Sequence, residues 1–315
     1  MEQRTPEFAK KFSDCRTTVK GLARAYVGLT NPTTIWFNTG TLCNIACQNC
    51  YIASSPTNDS LVYLTADEVL TFLNELEMLQ WGVSEIGFTG GEPFLNPQFL
   101  KFVELALERN YQVLILTNAM RPMMRQKIQD GLLKLNDKFN SMITIRVSVD
   151  HHLALSHDIE RGSGSFYETM KGMRWLTDNG FKITVAGRMK WTESELEARD
   201  GFNELFMQQH FNVNAYDPAE LVLFPEMNMS VDVPEISTDC WQALNLSPRS
   251  VMCASSRMVI KRKGAERPAV VSCTLLPYDE TFELGNSLTE ADQKVFLNHP
   301  YCAQFCVLGG ASCSA

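Results

Sequence analysis

Short apolar runs alternate with helically spaced apolar positions along the first two thirds of the chain. Thr34 to Asn38, Ser84 to Phe88, Gln112 to Leu116, Ile143 to Val149, Lys182 to Ala186 and Leu221 to Phe224 read as strands. Between the first two, Val69, Leu70, Leu73, Leu76 and Leu79 recur at helical spacing behind Thr65, and Glu68 completes a capping box with that threonine. Further helices are predicted from Pro97 through Leu107, from Met123 to Leu135, from Phe166 to Asn179 with Gly180 closing it, and from Glu193 to Gln209. Strands alternating with helices of this length predict parallel βαβ units. Six strands within residues 34–225 predict an α/β fold, a partial (β/α)6 TIM-like barrel short of the eight strands of a closed one.

The pattern changes after Glu226. Pro234, Pro248, Pro268, Pro277 and Pro300 punctuate short segments. Met258 to Arg262 and Ala269 to Ser272 predict a hairpin turning at Lys263-Gly264, and Glu290 to Leu297 predicts a helix. Three regions follow: an N-terminal extension at 1–33, a core barrel at 34–226, and a small cysteine-rich domain, hairpin plus helix, at 227–315. The basic run Lys261, Arg262, Lys263 and Arg267 is expected to be a solvated turn.

Composition narrows the function. The net charge of −8 argues against a nucleic-acid partner, which favours a basic face. No run of 18 apolar residues exists, so no membrane-spanning helix is expected, and Met1 to Ala25 lacks the apolar stretch of a secretory signal. These features predict a cytoplasmic protein. Ten cysteines in that compartment point to metal or redox chemistry before disulfides.

Cys43, Cys47 and Cys50 have the spacing C-x3-C-x2-C directly after the first strand. Three thiolates on one tight loop can hold three irons of a [4Fe–4S] cube and leave the fourth open to a small molecule. The rival is a structural zinc site, which takes paired C-x2-C knuckles and four closed ligands. The second strand ends in Thr89-Gly90-Gly91-Glu92-Pro93, where glycines would let backbone approach a ligand; an ordinary βα loop is the alternative. Ends of parallel strands are where sites form in this architecture.

With these two motifs at the ends of successive strands, the chain resembles the radical S-adenosylmethionine (SAM) superfamily over residues 34–225. The resemblance implies that the open iron binds the amino and carboxylate groups of SAM, that Gly90, Gly91, Glu92 and Pro93 form the turn for its methionyl amine, and that one electron releases a 5′-deoxyadenosyl radical. Asn49 stands where many members carry an aromatic residue against adenine. By the same resemblance Asn118 contacts the adenosyl moiety and Ser148 the ribose. His157-Asp158-Ile159-Glu160-Arg161-Gly162, then Gly164-Ser165-Phe166, is similar to the HDxxRG…GSF segment of members with cysteine-rich extensions. Arg161 would hold the methionyl carboxylate; its alternative is a solvated residue in a loop leading into a helix capped by Ser165. His151 and His152 offer an acid–base pair or a loop cap, and the cap is favoured. Lys190-Trp191, Tyr216-Asp217 and Glu226 are weaker substrate-contact candidates.

Six cysteines lie beyond residue 239. Cys253 and Cys273 flank the predicted hairpin, and Cys302, Cys306 and Cys313 follow. This arrangement resembles the Twitch and SPASM extensions of the superfamily and implies one auxiliary [4Fe–4S] cluster. Its ligands would be Cys253, Cys273 and Cys302, with Cys306 or Cys313 as the fourth. Zinc and simple buried thiols are the alternatives. Cys240 is a spare thiol or a ligand of a second, incomplete cluster, and Cys15 is expected to be structural. The expected enzyme removes hydrogen from a small-molecule or peptide substrate and receives electrons from a donor such as flavodoxin or ferredoxin. The short N-terminal extension tilts the expectation slightly towards a small molecule, with a SPASM-type peptide maturase as the alternative. An electron-transfer protein and a zinc-stabilised binding module are rivals of other classes.

Overall fold

A computed structural model describes residues 11–190, 192–228 and 231–311. Six parallel strands form its centre: β2 (Thr34–Asn38), β3 (Glu85–Thr89), β4 (Gln112–Thr117), β5 (Ile143–Ser148), β6 (Lys182–Met189) and β7 (Leu221–Pro225). Helices α1 (Ala66–Leu79), α2 (Phe99–Leu107), α3 (Gln126–Phe139), α4 (Ala154–Arg161), α5 (Ser165–Asp178) and α6 (Glu195–Gln209) cross between them. Every residue of β2 is buried, as expected of a parallel strand covered on both faces. Phe37 stacks on Phe88 at 5.8 Å, and Phe99 stands edge-on to Phe88 at 5.5 Å and to Phe94 at 5.1 Å, tying two strands to α2. The six-stranded expectation holds, with element ends shifted by a few residues.

The capping box is present. Thr65 Oγ1 accepts from the Glu68 amide at 3.3 Å, and Glu68 Oε2 accepts from the Thr65 amide at 2.9 Å. Thr65→Ala should cost about 1 kcal/mol, read as a lower denaturant midpoint at unchanged slope.

The C-terminal hairpin, β8 (Ser256–Ile260) and β9 (Ala269–Val271), joins the same sheet. β8 pairs parallel with β2, and β10 (Glu283–Gly285) pairs antiparallel with β9, so the order is β10-β9-β8-β2-β3-β4-β5-β6-β7. The basic run is not simply solvated: Arg262 pairs with Glu283 and Lys261 with Glu68, both partly buried, whereas Lys263, paired with Asp59, and Arg267 are exposed.

The helix expected over Glu290 to Leu297 is absent. Val295–Phe296 is instead a short strand, β11, paired antiparallel with β1 (Tyr26–Val27). The residues before it bond locally: Glu290 Oε2 accepts from the Asn286 amide at 2.6 Å, and Gln293 donates to the Leu284 carbonyl at 2.8 Å. Such side-chain bonds compete with helix formation. The helical turn lies further on, a π-helix at Cys302–Val307. Residues 11–27 clasp this C-terminal part through the buried Arg24–Glu235 pair at 2.6 Å. Among the described residues, no helix is long and apolar enough to cross a membrane.

Candidate active site

The C-terminal ends of the parallel strands surround one cavity. Thr89 of β3, Thr117 of β4, Ser148 of β5, Arg188 of β6 and Phe224 of β7 all reach it. The cysteine loop hangs over this end of the sheet and is held on both sides. At its start, the Gly91 amide donates to the Gly40 carbonyl at 2.8 Å and the Glu92 amide to the Leu42 carbonyl at 3.1 Å. At its end, the Gln48 amide donates to the Glu160 carbonyl at 2.8 Å, and Asn49 Nδ2 to Glu160 Oε2 at 2.9 Å. Between these anchors Cys43, Cys47 and Cys50 line the cavity together.

Burial pushes the Cys43 thiol up to about 12 and raises Cys47 as well, although Arg161 pulls Cys47 the other way. Without a metal both would carry protons at neutral pH, and a metal binding there must displace them. None of the described cysteines is in a disulfide. Soft sulfur donors suit an iron–sulfur centre or zinc. Among the described residues no fourth cysteine reaches this cavity, so the donor set fits a cluster with one open corner better than a closed zinc site.

The glycine turn fits only glycine. Gly90 has φ +136°, and a Cβ there would lie 2.5 Å from the Gly40 carbonyl oxygen; at Gly91 it would lie 2.2 Å from that of Leu42. Gly91→Ala must therefore push the turn and the cysteine loop apart. On the superfamily resemblance, it should raise the SAM concentration for half-maximal cleavage about tenfold, measured by 5′-deoxyadenosine formation.

Gly90, Gly91 and Asn118 reach the cavity, whereas Glu92 and Pro93 lie behind its wall. Glu92 is a clamp: its buried carboxylate accepts from Thr117 Oγ1 at 2.9 Å, from the Asn118 amide at 3.0 Å and from the Phe94 amide at 3.3 Å. Burial pushes its carboxyl up to about 7, against the pull of these bonds. The clamp aims Asn118, whose Nδ2 donates to Asn44 Oδ1 at 2.9 Å inside the cysteine loop.

Arg161 is ion-paired and largely shielded rather than solvated. Its Nε and Nη2 bond Asp150 at 2.9 and 3.1 Å, and it lines the cavity near the cysteines. Burial would raise Asp150, but Arg161 and Arg188 outweigh it and hold the carboxyl below its ordinary range. The expected helix-approach loop is helix α4, whose polar sequence carries too few apolar positions to show a helical period. Ser165 opens α5, and Gly164 is its N-cap. Asp158 satisfies that helix start, accepting from the Gly164 and Phe166 amides.

Sequence reasoning missed Arg188. Its guanidinium lies 4.8 Å over the Tyr51 ring, and Nη2 donates to the Asn49 carbonyl at 3.1 Å. The signal was an arginine near the C-terminal end of a largely apolar strand. Asn49 itself does not line the cavity, because its side chain is taken up by Glu160. His151 acts as a loop cap: its Nδ1 accepts from the Leu153 amide at 3.0 Å. Lys190, Tyr216, Asp217 and Glu226 do not line the cavity, and Trp191 lies outside the described residues.

A second cavity brings together Cys253, Cys273, Cys302 and Cys306, with walls such as Val251, Phe282 and Leu297. Burial pushes Cys253 up to about 12 and raises Cys273 and Cys302. Cys302 and Cys306 stand four residues apart on the π-helix. Cys313 lies outside the described residues. Cys240 does not line the cavity, and its sulfur lies 3.5 Å from Ser237 Oγ. Cys15 is exposed. Leu275 forms part of the wall of both cavities.

Comparison with known proteins agrees with this geometry. Residues 37–198 match the radical SAM superfamily. The chain is similar to the antilisterial bacteriocin subtilosin biosynthesis protein AlbA of Bacillus subtilis, 31% identical over 146 residues, 46% of this chain and 30% of AlbA. It is also similar to the mycofactocin maturase MftC of Mycobacterium ulcerans, 27% identical over 161 residues, 50% of this chain and 41% of MftC. The chain thus spans less than half the length of either relative. Among solved structures, Streptococcus suis SuiB bound to S-adenosylmethionine aligns with TM-score 0.58 at 13% identity, covering 81% of this chain and 63% of SuiB. A structure of anSMEcpe with bound AdoMet aligns with TM-score 0.57 at 14% identity, covering 82% of this chain and 77% of anSMEcpe. At these identities the likeness is one of fold.

Proposed function

The chain belongs to the radical SAM superfamily, and from that premise we propose that it cleaves SAM reductively and uses the 5′-deoxyadenosyl radical to take hydrogen from a substrate. One observation carries this reading: three thiols of one loop and the Gly90–Gly91 backbone share a cavity at the ends of parallel strands. A [4Fe–4S] cluster held by Cys43, Cys47 and Cys50 would supply the electron that breaks the sulfonium bond.

The protein's own residues bind, orient and shield. The Gly90–Gly91 turn offers close backbone to the methionyl group, Asn118 and Ser148 offer polar atoms to the nucleoside, and Arg161 and Arg188 about the single carboxylate of Asp150 leave a net positive charge beside the cysteines. We assign Cys253, Cys273, Cys302 and Cys306 to one auxiliary cluster, carried by the unit at residues 227–315. The apolar walls of that cavity support exclusion of water from it.

A peptide substrate is favoured over a small metabolite, because the relatives are named for a bacteriocin and for mycofactocin maturation. A ferredoxin or flavodoxin would serve as electron donor. The test is anaerobic incubation of the protein with SAM, reductant and candidate precursor peptides carrying deuterium. Label recovered in 5′-deoxyadenosine supports the reading, and iron-loaded protein that never forms 5′-deoxyadenosine contradicts it.

A further inference from the structure

Arg257, on β8, is fully buried, and among the described residues its hydrogen bonds run only to backbone carbonyls. Nε donates to Ala291 at 3.0 Å, Nη1 to Cys253 at 2.6 Å and to Ser256 at 2.8 Å, and Nη2 to Gln293 at 3.1 Å. Two other shielded arginines differ: buried Arg24 has Glu235 at 2.6 Å, and Arg161, its side chain 12% exposed, has Asp150 at 2.9 Å. Asp292, an acid that acts on Arg257, is solvent-exposed and forms no ion pair with it. A buried cation without a carboxylate is costly, and neutral donors could serve carbonyls without that cost. The charge itself therefore calls for an anionic partner nearby.

The second thiol cavity supplies one. Arg257 bonds the carbonyl of Cys253, and its charge acts on the sulfurs of both Cys253 and Cys273. Four thiolates outweigh the positive charge of an iron–sulfur core, so the liganded centre would be an anion. Adding an electron makes it more negative, and a fixed cation in a low-dielectric surround stabilises the reduced form.

Resting on the auxiliary-cluster reading above, we propose that Arg257 is the internal counter-charge of that cluster and holds its reduction potential up, favouring a role as electron acceptor. It is a positioning residue that acts through the thiolate ligands and touches no substrate.

The test uses the whole chain, reconstituted anaerobically, with both clusters titrated against potential and followed by electron paramagnetic resonance. The primary cluster is the internal reference. Arg257→Gln should lower the auxiliary midpoint potential and leave the primary one in place, while Arg257→Lys should keep both near wild type. An unchanged auxiliary potential in the Gln variant overturns the proposal, as does an equal fall in both variants, which would mean the hydrogen bonds matter and the charge does not. If the Gln variant fails to hold the cluster, iron analysis decides. About eight irons in the Lys variant against about four in the Gln variant supports the proposal, and about four in both overturns it. Wild-type protein with only about four irons would overturn the auxiliary-cluster reading itself, and this inference with it.

Discussion

Cys47→Ala should abolish 5′-deoxyadenosine formation, a loss on the order of a thousandfold or more, equivalent to at least about 4 kcal/mol of barrier. Cys47 sits mid-loop, between the anchors at Gly91 and Glu160. Its side chain belongs to the cavity wall and not to the main core. The loop's hydrogen bonds to Gly40, Leu42 and Gln48 are made by backbone, so the fold should survive the substitution. Near-wild-type thermal unfolding of the metal-free variant, beside lost cleavage, separates a missing ligand from a damaged scaffold. Retained 5′-deoxyadenosine formation would remove Cys47 from the cluster.

Cys302→Ala should have the second large effect. Wild-type protein is expected to hold about eight irons per chain, from two four-iron clusters, and the variant about four. The thiol shares a mostly apolar cavity with Cys253, Cys273 and Cys306, so its loss leaves that cluster one ligand short and no longer sealed. Cleavage of SAM should persist, because the first cavity keeps its own three cysteines. Conversion of substrate to product should fall away, leaving the two steps uncoupled. Iron analysis beside product analysis checks both halves, and an iron content unchanged by the substitution would refute the ligand assignment.

Legibility in the sequence followed locality. The strand–helix alternation, the capping box at Thr65 and the C-x3-C-x2-C loop are all set by residues close in the chain, and each appears where the pattern put it. Features made by distant segments were legible only in part. Cys253, Cys273, Cys302 and Cys306 come from a 3-10 turn, the segment after a strand and a π-helix, so the sequence showed a cysteine-rich unit but not which of its thiols share a cavity.

Polar residues inside apolar elements were hardest. Arg188 and Arg257 look like ordinary strand residues until the fold places one against Tyr51 and the other beside the second thiol cavity. Glu92 reads as part of a ligand-binding turn, yet its carboxylate is spent on Thr117 and Asn118. The segment from Glu290 misled because charged and apolar residues at helical spacing there satisfy local turns and a two-residue strand.

The account turns on one open iron corner above the loop of Cys43, Cys47 and Cys50. Electron–nuclear double resonance on the reduced protein, with SAM labelled by 15N in its amino group and 17O in its carboxylate, probes that corner directly. Coupling of both labels to a cluster in wild-type protein, and its absence in Cys47→Ala, is the predicted result. A wild-type cluster that shows neither coupling, because a protein side chain fills the fourth position, would contradict it.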